Sequence, residues 1–279
     1  MRRSDAALRA PMLAPTWAWL FAFVAAPAAL LAVLALAVAA DGVPPFALAI
    51  SPDNLATAVS DPYYLAGFLA SLRVASISAA FCLLIGYPLA LAIARTSARW
   101  RPVLLLLVML PFWTGFLLRI AAWIGLLRDD GWINAALMAL RLTDTPLHLL
   151  YTDGAMYAGI VYAYLPFLVL PLVARLTRLD PALEQAAADL GASPWAVFRR
   201  VTLPLSLPGV WAGLALVFVP VTGEYVIPEL LGGPQSQTLG RIIWDEFFAN
   251  HDWPLASALA LLLLVLLLAP ALAIRNRAA

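Results

Sequence analysis

Six apolar runs dominate the sequence, and each is long enough to cross a membrane as a helix. They cover residues 17–40, 74–94, 102–127, 154–174, 205–223 and 254–274. A helix rises 1.5 Å per residue, so about 20 residues cross a hydrocarbon layer of about 30 Å. Hydrophobic residues make up 64% of the 279 residues and charged residues 12%, which is outside the range of soluble domains. The runs predict an all-α polytopic membrane protein with six transmembrane helices in a single transmembrane domain, 1–279.

The placement of arginine predicts the orientation of these spans. Loops on the cytoplasmic side of membrane proteins carry an excess of basic residues. Twelve of the seventeen basic residues lie in segments on one side: Arg2, Arg3, Arg9, Arg95, Arg99, Arg101, Arg175, Arg178, Arg199, Arg200, Arg275 and Arg277. The opposite loops hold Arg128, Arg141 and Arg241. We therefore expect both termini and the loop 175–204 to face the cytoplasm. The first run exceeds the core of about 7–15 residues in a secretory signal, so we interpret it as a span.

Polar and kinking residues inside the spans point to positions with special surroundings. Arg119 is the only charged residue within a run, and its insertion costs about 2.5–3.5 kcal/mol at the centre of a membrane helix, so we expect it to face protein or water. Glu224 is a candidate partner, either in a structural ion pair or beside a substrate. Prolines inside spans predict kinks, at Pro88, Pro111, Pro166, Pro171, Pro220 and Pro270.

Several kinds of chemistry are excluded or disfavoured. The sequence contains no lysine, so it lacks the P-loop that holds nucleotide phosphates, and it contains no Gly-x-Ser-x-Gly elbow. Cys82 is the single cysteine, and His148 and His251 lie in different loops without neighbouring ligands, which disfavours a metal site. The net charge of +1, without a basic cluster, argues against nucleic-acid binding. We expect a chain that binds no cofactor and is not an enzyme.

One polar segment interrupts the apolar runs, with the sequence DPALEQAAADLGASPWAVFRRVTLP at 180–204. Asp180 is suited to cap a helix that begins at Pro181, and Gly191 is suited to the left-handed residue that ends it. Ser193 and Pro194 then predict the start of a second helix. The expected element is a pair of short helices with a bend at Gly191, which is either a docking surface or an ordinary connecting loop.

The spacing within this segment resembles the coupling-loop signature of ABC importer permeases. Residues Ala186, Ala187, Gly191, Leu203 and Pro204 match the signature, while Gln185 replaces its usual Glu, with Glu184 one position earlier, and Val201 replaces its Ile. The resemblance implies that these eight residues couple the chain to a separate ATPase.

A second resemblance covers nearly the entire chain. The runs LPFWTGFLLRIAAWIGLL at 110–127 and GEYVIPELLGGPQSQTLGRIIWDEFFANHDWPLASALA at 223–260 are similar to permease subunits of bacterial polyamine ABC importers, with the putrescine branch nearest. It implies a type I ABC importer permease fold in the bacterial inner membrane. It also implies a second homologous permease, two ATPase subunits that bind ATP and Mg²⁺, and a periplasmic substrate-binding protein.

Residues near the outer ends of the spans are candidates for contact with a cationic substrate. Carboxylates attract ammonium groups, and aromatic faces bind cations. The candidates are Arg119, Glu224, Tyr225, Trp244, Asp245 and Glu246; the aromatic members could equally anchor the chain at the membrane interface. Two alternatives stay open: an ABC permease for another solute (ferric ion, sulfate or an aminophosphonate), or a stand-alone secondary transporter.

Overall fold

The computed structural model describes residues 13–234 and 236–278, with side chains as far as Leu268. Twelve helices and one small hairpin make up this part of the chain. In order they are α1 (Leu13–Ala35), β1 (Val38–Ala39), β2 (Phe46–Ala47), α2 (Asp53–Ser60), α3 (Pro62–Arg95), α4 (Arg101–Met109), α5 (Phe116–Leu127), α6 (Trp132–Ala139), α7 (Asp153–Leu176), α8 (Pro181–Asp189), α9 (Pro194–Thr222), α10 (Val226–Leu231), α11 (Leu239–Trp244) and α12 (Trp253–Ala278). The all-α prediction is confirmed.

Four helices of the described chain are single rods long and apolar enough to cross a membrane, namely α1, α3, α7 and α9. They correspond to the first, second, fourth and fifth predicted spans. Helix α3 begins at Pro62, twelve residues before the predicted start of the second span at residue 74. The prediction placed the start after the charged Arg73, whereas the helix also includes the residues before it. The sixth span corresponds to α12, whose fully described apolar part is Trp253–Leu268. The predicted count of six is consistent with these helices.

The third predicted span is not one straight helix. It is a pair, Arg101–Trp113 and Phe116–Ala139, bent by 88°. Helix α4 tightens into a 3₁₀ turn over Leu110–Trp113 that contains Pro111, and Thr114 then adopts an extended conformation. A proline removes one helical hydrogen bond and fixes its own backbone angle, which favours a break at this point. The kink predicted at Pro111 is therefore larger than a bend within a continuous helix.

The described residues form two compact units, one within the ranges 1–67 and 242–279 and the other within 68–241. In the first unit, α12 packs against α1 and α2. The Asn54 side chain donates to the carbonyl oxygens of Ala35 (3.2 Å) and Ala37 (2.7 Å), and so ties α2 to the end of α1. The prediction of a single transmembrane domain stays a prediction.

In the second unit, α7 and α9 are packed at close range. Two glycines of α9, Gly209 and Gly213, form a G-x-x-x-G pattern on the face that meets α7. A Cβ atom at Gly213 would lie 2.9 Å from the Leu168 carbonyl oxygen, and one at Gly209 would lie 2.7 Å from Cβ of Arg175. Small residues at this spacing let helix backbones approach closely, which is how helices commonly associate in membranes. The core of the unit lies around this contact, with Leu168, Val169 and Leu172 fully buried.

Helix α9 begins earlier than the predicted fifth span. It starts at Pro194 and runs to Thr222, so Leu203 and Pro204 lie inside a continuous helix rather than at the return into it. The turn over Phe198–Thr202 is a wide π-helical turn directly before Pro204. Such a bulge accommodates residues that cannot donate in the regular helical pattern, which explains why the proline does not end the helix.

Candidate functional site

The segment 180–204 adopts the local structure that its sequence predicts. The Asp180 carboxylate accepts a hydrogen bond from the Ala182 N–H (2.9 Å) and caps α8. Gly191 has a φ of +83°, in the left-handed region, and follows the end of α8. The Ser193 hydroxyl accepts from the Ala196 N–H (3.3 Å) and caps α9. The predicted bent pair of helices is confirmed. From here on we call residues 180–204 the coupling segment, a name taken only from the signature that the sequence resembles.

Adjacent residues of α8 point to different surroundings. The Glu184 carboxylate accepts from the Thr202 hydroxyl at 2.5 Å and forms an ion pair with Arg95 at 3.3 Å. Gln185 is exposed, as is Ala186, while Ala187 is partly exposed. Consecutive residues of a helix are about 100° apart, so one side chain can face the protein while the next faces outward. Glu184 therefore binds side chains of the same chain, whereas the outward-facing side chain at position 185 is an uncharged glutamine.

The outward side of the coupling segment carries large apolar side chains. Leu190 is 89% exposed and Trp195 is 67% exposed, with Leu183 also exposed. The Trp195 ring stacks on Phe198, with 5.4 Å between the ring centroids. Val201 and Leu203 are half-buried and Pro204 is exposed. The segment thus presents a partly apolar, bent surface whose ends are fixed by caps.

Contacts with α3 and α7 hold the start of α9 in place. The Tyr87 hydroxyl is hydrogen-bonded to the Ser206 hydroxyl at 2.9 Å, and its ring packs edge-on against Phe198. The Arg175 Nε donates to the Leu205 carbonyl oxygen at 2.9 Å. These contacts connect the coupling segment to two of the long apolar helices.

A second candidate site is a cavity of about 610 Å³ within the unit 68–241. Aromatic side chains and Arg119 line it, together with small and aliphatic residues: Phe112, Phe116, Arg119, Ala163, Tyr164, Phe167, Ala215, Leu216, Val219 and Pro220. The guanidinium carbon of Arg119 lies 4.9 Å from the Phe112 ring centroid and 5.5 Å from that of Phe116. Arg119 therefore faces a cavity, as expected from its charge.

The ion pair considered for Arg119 and Glu224 is not formed. The Glu224 carboxylate instead accepts from the Tyr164 hydroxyl at 2.5 Å and from the Val226 N–H at 2.9 Å. Within the described residues, the Nε and Nη1 atoms of Arg119 are buried without a hydrogen-bond partner, and no carboxylate lies within 4.0 Å of its guanidinium. The Tyr164 hydroxyl, and not the Arg119 guanidinium, is therefore the donor to the Glu224 carboxylate.

The other predicted pathway residues are distributed over both units. Tyr225 is half-buried and directly precedes α10. Trp244 ends α11, and its ring centroid lies 4.0 Å from that of Phe248. Asp245 is half-buried, whereas Glu246 is only 8% exposed. The Glu246 carboxylate accepts from the Tyr64 hydroxyl (3.0 Å) and the Asn250 amide (2.8 Å), so its oxygens are already engaged.

Three residues with direct roles in these sites were not predicted from the sequence. Tyr164 and Thr202 bind the two candidate acids, and Arg95 completes the contact with Glu184. No local pattern links these side chains to their partners, which lie 60, 18 and 89 residues away. The G-x-x-x-G spacing in α9, in contrast, is a local signal from which the close packing of that helix could have been predicted.

No group of three or more metal-ligating side chains occurs among residues that the structure describes. His148 pairs with the Asp129 carboxylate at 3.0 Å, and Cys82 is buried. The long apolar helices define a broad class of protein, the polytopic membrane proteins. Residues 20–275 match the family described as "Binding-protein-dependent transport system inner membrane component", and the chain belongs to this family. It is thus a multi-pass inner-membrane transport component and not an enzyme.

Curated relatives cover most of the chain. It is 38% identical over 251 residues to the spermidine/putrescine transport system permease protein PotB of Haemophilus influenzae, covering 90% of this chain and 87% of the relative. It is also 38% identical over 211 residues to PotB of Escherichia coli, covering 76% and 77%. Identity to the molybdenum transport system permease protein ModB of Mycobacterium bovis is 31% over 214 residues, covering 74% and 77%.

Solved structures share the fold. A chain of a bacterial ABC transporter that imports the acidic polysaccharide alginate matches with a TM-score of 0.75 at 20% identity, covering 99% of this chain and 98% of that chain. A chain of the MetNI methionine ABC transporter matches with a TM-score of 0.56 at 18% identity, covering 77% and 95%. The type I ABC importer permease fold is therefore confirmed.

Proposed function

We propose that this chain is the permease subunit of an ATP-driven importer and forms half of a pathway for polyamines of the putrescine and spermidine type. The observation that carries this proposal is the 38% identity to PotB proteins over most of both chains. ATP and Mg²⁺ are bound by a separate ATPase in this proposal, because the sequence has no P-loop. The assembly also contains a second permease, two ATPase subunits and a periplasmic binding protein.

The coupling segment is the proposed contact with the ATPase. Its bend at Gly191 and its fixed caps give a surface that keeps its shape, and the exposed Gln185, Ala186 and partly exposed Ala187 give it a smooth face. Val201, Leu203 and Pro204 carry the surface into α9, and Glu184 lies on the inward side. Closure of the ATPase would move this segment and shift the spans between inward-facing and outward-facing states.

A single substitution tests this contact. Ala187→Asp places a charge on the proposed contact face, and we expect it to abolish both uptake and binding of the ATPase while the chain still inserts in the membrane. Ala139→Asp is the matched control, because Ala139 is exposed but lies at the end of α6, in a segment that the arginine distribution places on the opposite side of the membrane. Equal uptake by Ala187→Asp and wild type would refute the docking role.

The cavity beside Tyr164 is the proposed part of the polyamine pathway in this chain. Glu224 does not line the cavity but accepts a hydrogen bond from the lining residue Tyr164, and its carboxylate is the proposed partner for an ammonium group. The aromatic rings of the cavity can each contribute about 0.5–2 kcal/mol of cation–π attraction. Arg119 already lies over two of these rings, so its side chain must move away before a dication can use them. Tyr225, Trp244, Asp245 and Glu246 remain further candidates.

One observation favours an anionic cargo as the second candidate. The buried, unpartnered donors of Arg119 would suit an oxyanion such as sulfate or an aminophosphonate better than an amine. Uptake of labelled putrescine in cells that depend on this importer, with excess spermidine, sulfate, aminophosphonate or ferric ion as competitor, separates the two. Putrescine uptake that only excess spermidine reduces supports the polyamine proposal, whereas absence of putrescine uptake together with uptake of labelled sulfate or aminophosphonate replaces it.

The proposed orientation places both termini and the coupling segment in the cytoplasm. It rests on the distribution of arginine, because twelve of seventeen basic residues lie on that side. The natural chain contains a single cysteine, Cys82, which is buried, so single-cysteine labelling can test this orientation directly.

A further inference from the structure

The Glu184 carboxylate joins three separate elements. It lies on α8, accepts from the Thr202 hydroxyl in the first turns of α9, and pairs with Arg95 at the end of α3. The Thr202 side chain is 1% exposed, so its hydroxyl has no access to water that could replace this bond. A buried hydroxyl that donates to a carboxylate is a strong and costly contact to remove.

The two contacts of Glu184 differ in strength for a physical reason. The Arg95 and Glu184 side chains are 56% and 34% exposed, and exposed ion pairs contribute little because water and salt screen them. The bond from Thr202 is shielded, because its donor is buried. The hydrogen bond should therefore hold α8 to α9, and the ion pair with α3 should add a smaller, salt-dependent contribution.

We propose that Glu184 is a positioning residue that makes α8 move together with the ends of α3 and α9, instead of contacting the ATPase itself. The hydrogen bond between Tyr87 and Ser206 already joins α3 to α9. Glu184 therefore adds α8 to a group of helices that are already connected. This inference rests on the proposed coupling to an ATPase. Without Glu184, the ATPase would still bind α8, but its movement would not reach the spans.

The test compares variants in the complete importer, purified with its partners and reconstituted in vesicles. The readout is the ATP hydrolysed per molecule of putrescine transported, together with the amount of ATPase that copurifies. We expect Thr202→Val and Glu184→Ala to raise this ratio about tenfold, the factor that corresponds to the loss of one charge-assisted hydrogen bond. Arg95→Ala should raise it about twofold, as for a screened surface ion pair, and this increase should vanish at high salt.

The matched control is Thr96→Val, because Thr96 directly follows α3 and its hydroxyl donates only to the Ala92 carbonyl oxygen in the last turn of that helix (2.8 Å). It should leave the ratio unchanged. Glu184→Gln keeps an acceptor for Thr202 without the charge and should behave as Arg95→Ala does. Thr202→Val, which removes the donor of the same bond, serves as the test if Glu184→Ala fails to accumulate.

The outcomes separate this inference from the proposed function. Normal ATPase binding with a raised ratio supports the positioning role. Loss of the ATPase from purified Glu184→Ala would overturn it, because Glu184 would then be a contact residue, and an unchanged ratio in Thr202→Val would overturn it as well. If the wild-type chain copurifies with no ATPase, the proposed function fails instead.

Discussion

Replacing Gly213 with alanine tests whether the close contact between α7 and α9 holds the unit 68–241 together. The added Cβ would lie 2.9 Å from the carbonyl oxygen and 3.1 Å from the Cα of Leu168. Both are backbone atoms, so no side-chain rotation can relieve the contact and the two helices must move apart. Overpacking of this kind typically costs about 1–3 kcal/mol.

The matched control is Gly125→Ala in α5, where an added Cβ meets no atom within 4 Å. Alanine is favoured over glycine inside a helix by about 0.5–1 kcal/mol. Both glycines lie inside helices, so both variants gain this propensity, and they should differ by the overpacking cost of about 1–3 kcal/mol in the free energy of unfolding. Equilibrium unfolding of the purified protein in mixed micelles, followed by tryptophan fluorescence, measures this difference. Equal stability of Gly213→Ala and Gly125→Ala would refute the packing argument.

Three further predictions concern the coupling segment, the cavity and the orientation. Gly191→Ala should reduce uptake because a non-glycine residue at φ +83° costs about 1–2 kcal/mol, whereas Gly191→Asn should be milder; equal uptake rates would refute this. Tyr164→Phe removes the donor to Glu224 and should change the KM for putrescine severalfold in uptake assays, and an unchanged KM would place the pathway elsewhere. In a Cys82→Ala background, an impermeant maleimide should label Trp132→Cys in intact spheroplasts and Leu190→Cys only after permeabilisation; the reverse pattern would invert the orientation.

The sequence alone was sufficient for features set by local chemistry. Caps and turn residues act within three or four positions, so the roles of Asp180, Gly191 and Ser193 follow from their immediate neighbours in the chain. Apolar runs located most spans because hydrophobic length is the main requirement for crossing a membrane.

Features that depend on contacts between distant residues could not be predicted. The proline predicted a kink at Pro111, but the size of the break, 88°, was not predicted because hydropathy is continuous across it. The partners of Glu184 and Glu224 are a buried threonine and a tyrosine whose side chains carry no distinguishing local signal. Opposite charge made Glu224 a candidate partner of Arg119, whereas in the structure the Glu224 carboxylate accepts a hydrogen bond from Tyr164.

Transport by purified components tests the central claim most directly, that this chain carries solute only when a separate ATPase drives it. Labelled putrescine would be offered to vesicles that contain the chain alone, or the chain with the proteins that copurify from its native membrane, with ATP or without it. The account predicts uptake only with the copurified ATPase and hydrolysable ATP. Uptake by the chain alone, or uptake driven by an ion gradient without ATP, would contradict it.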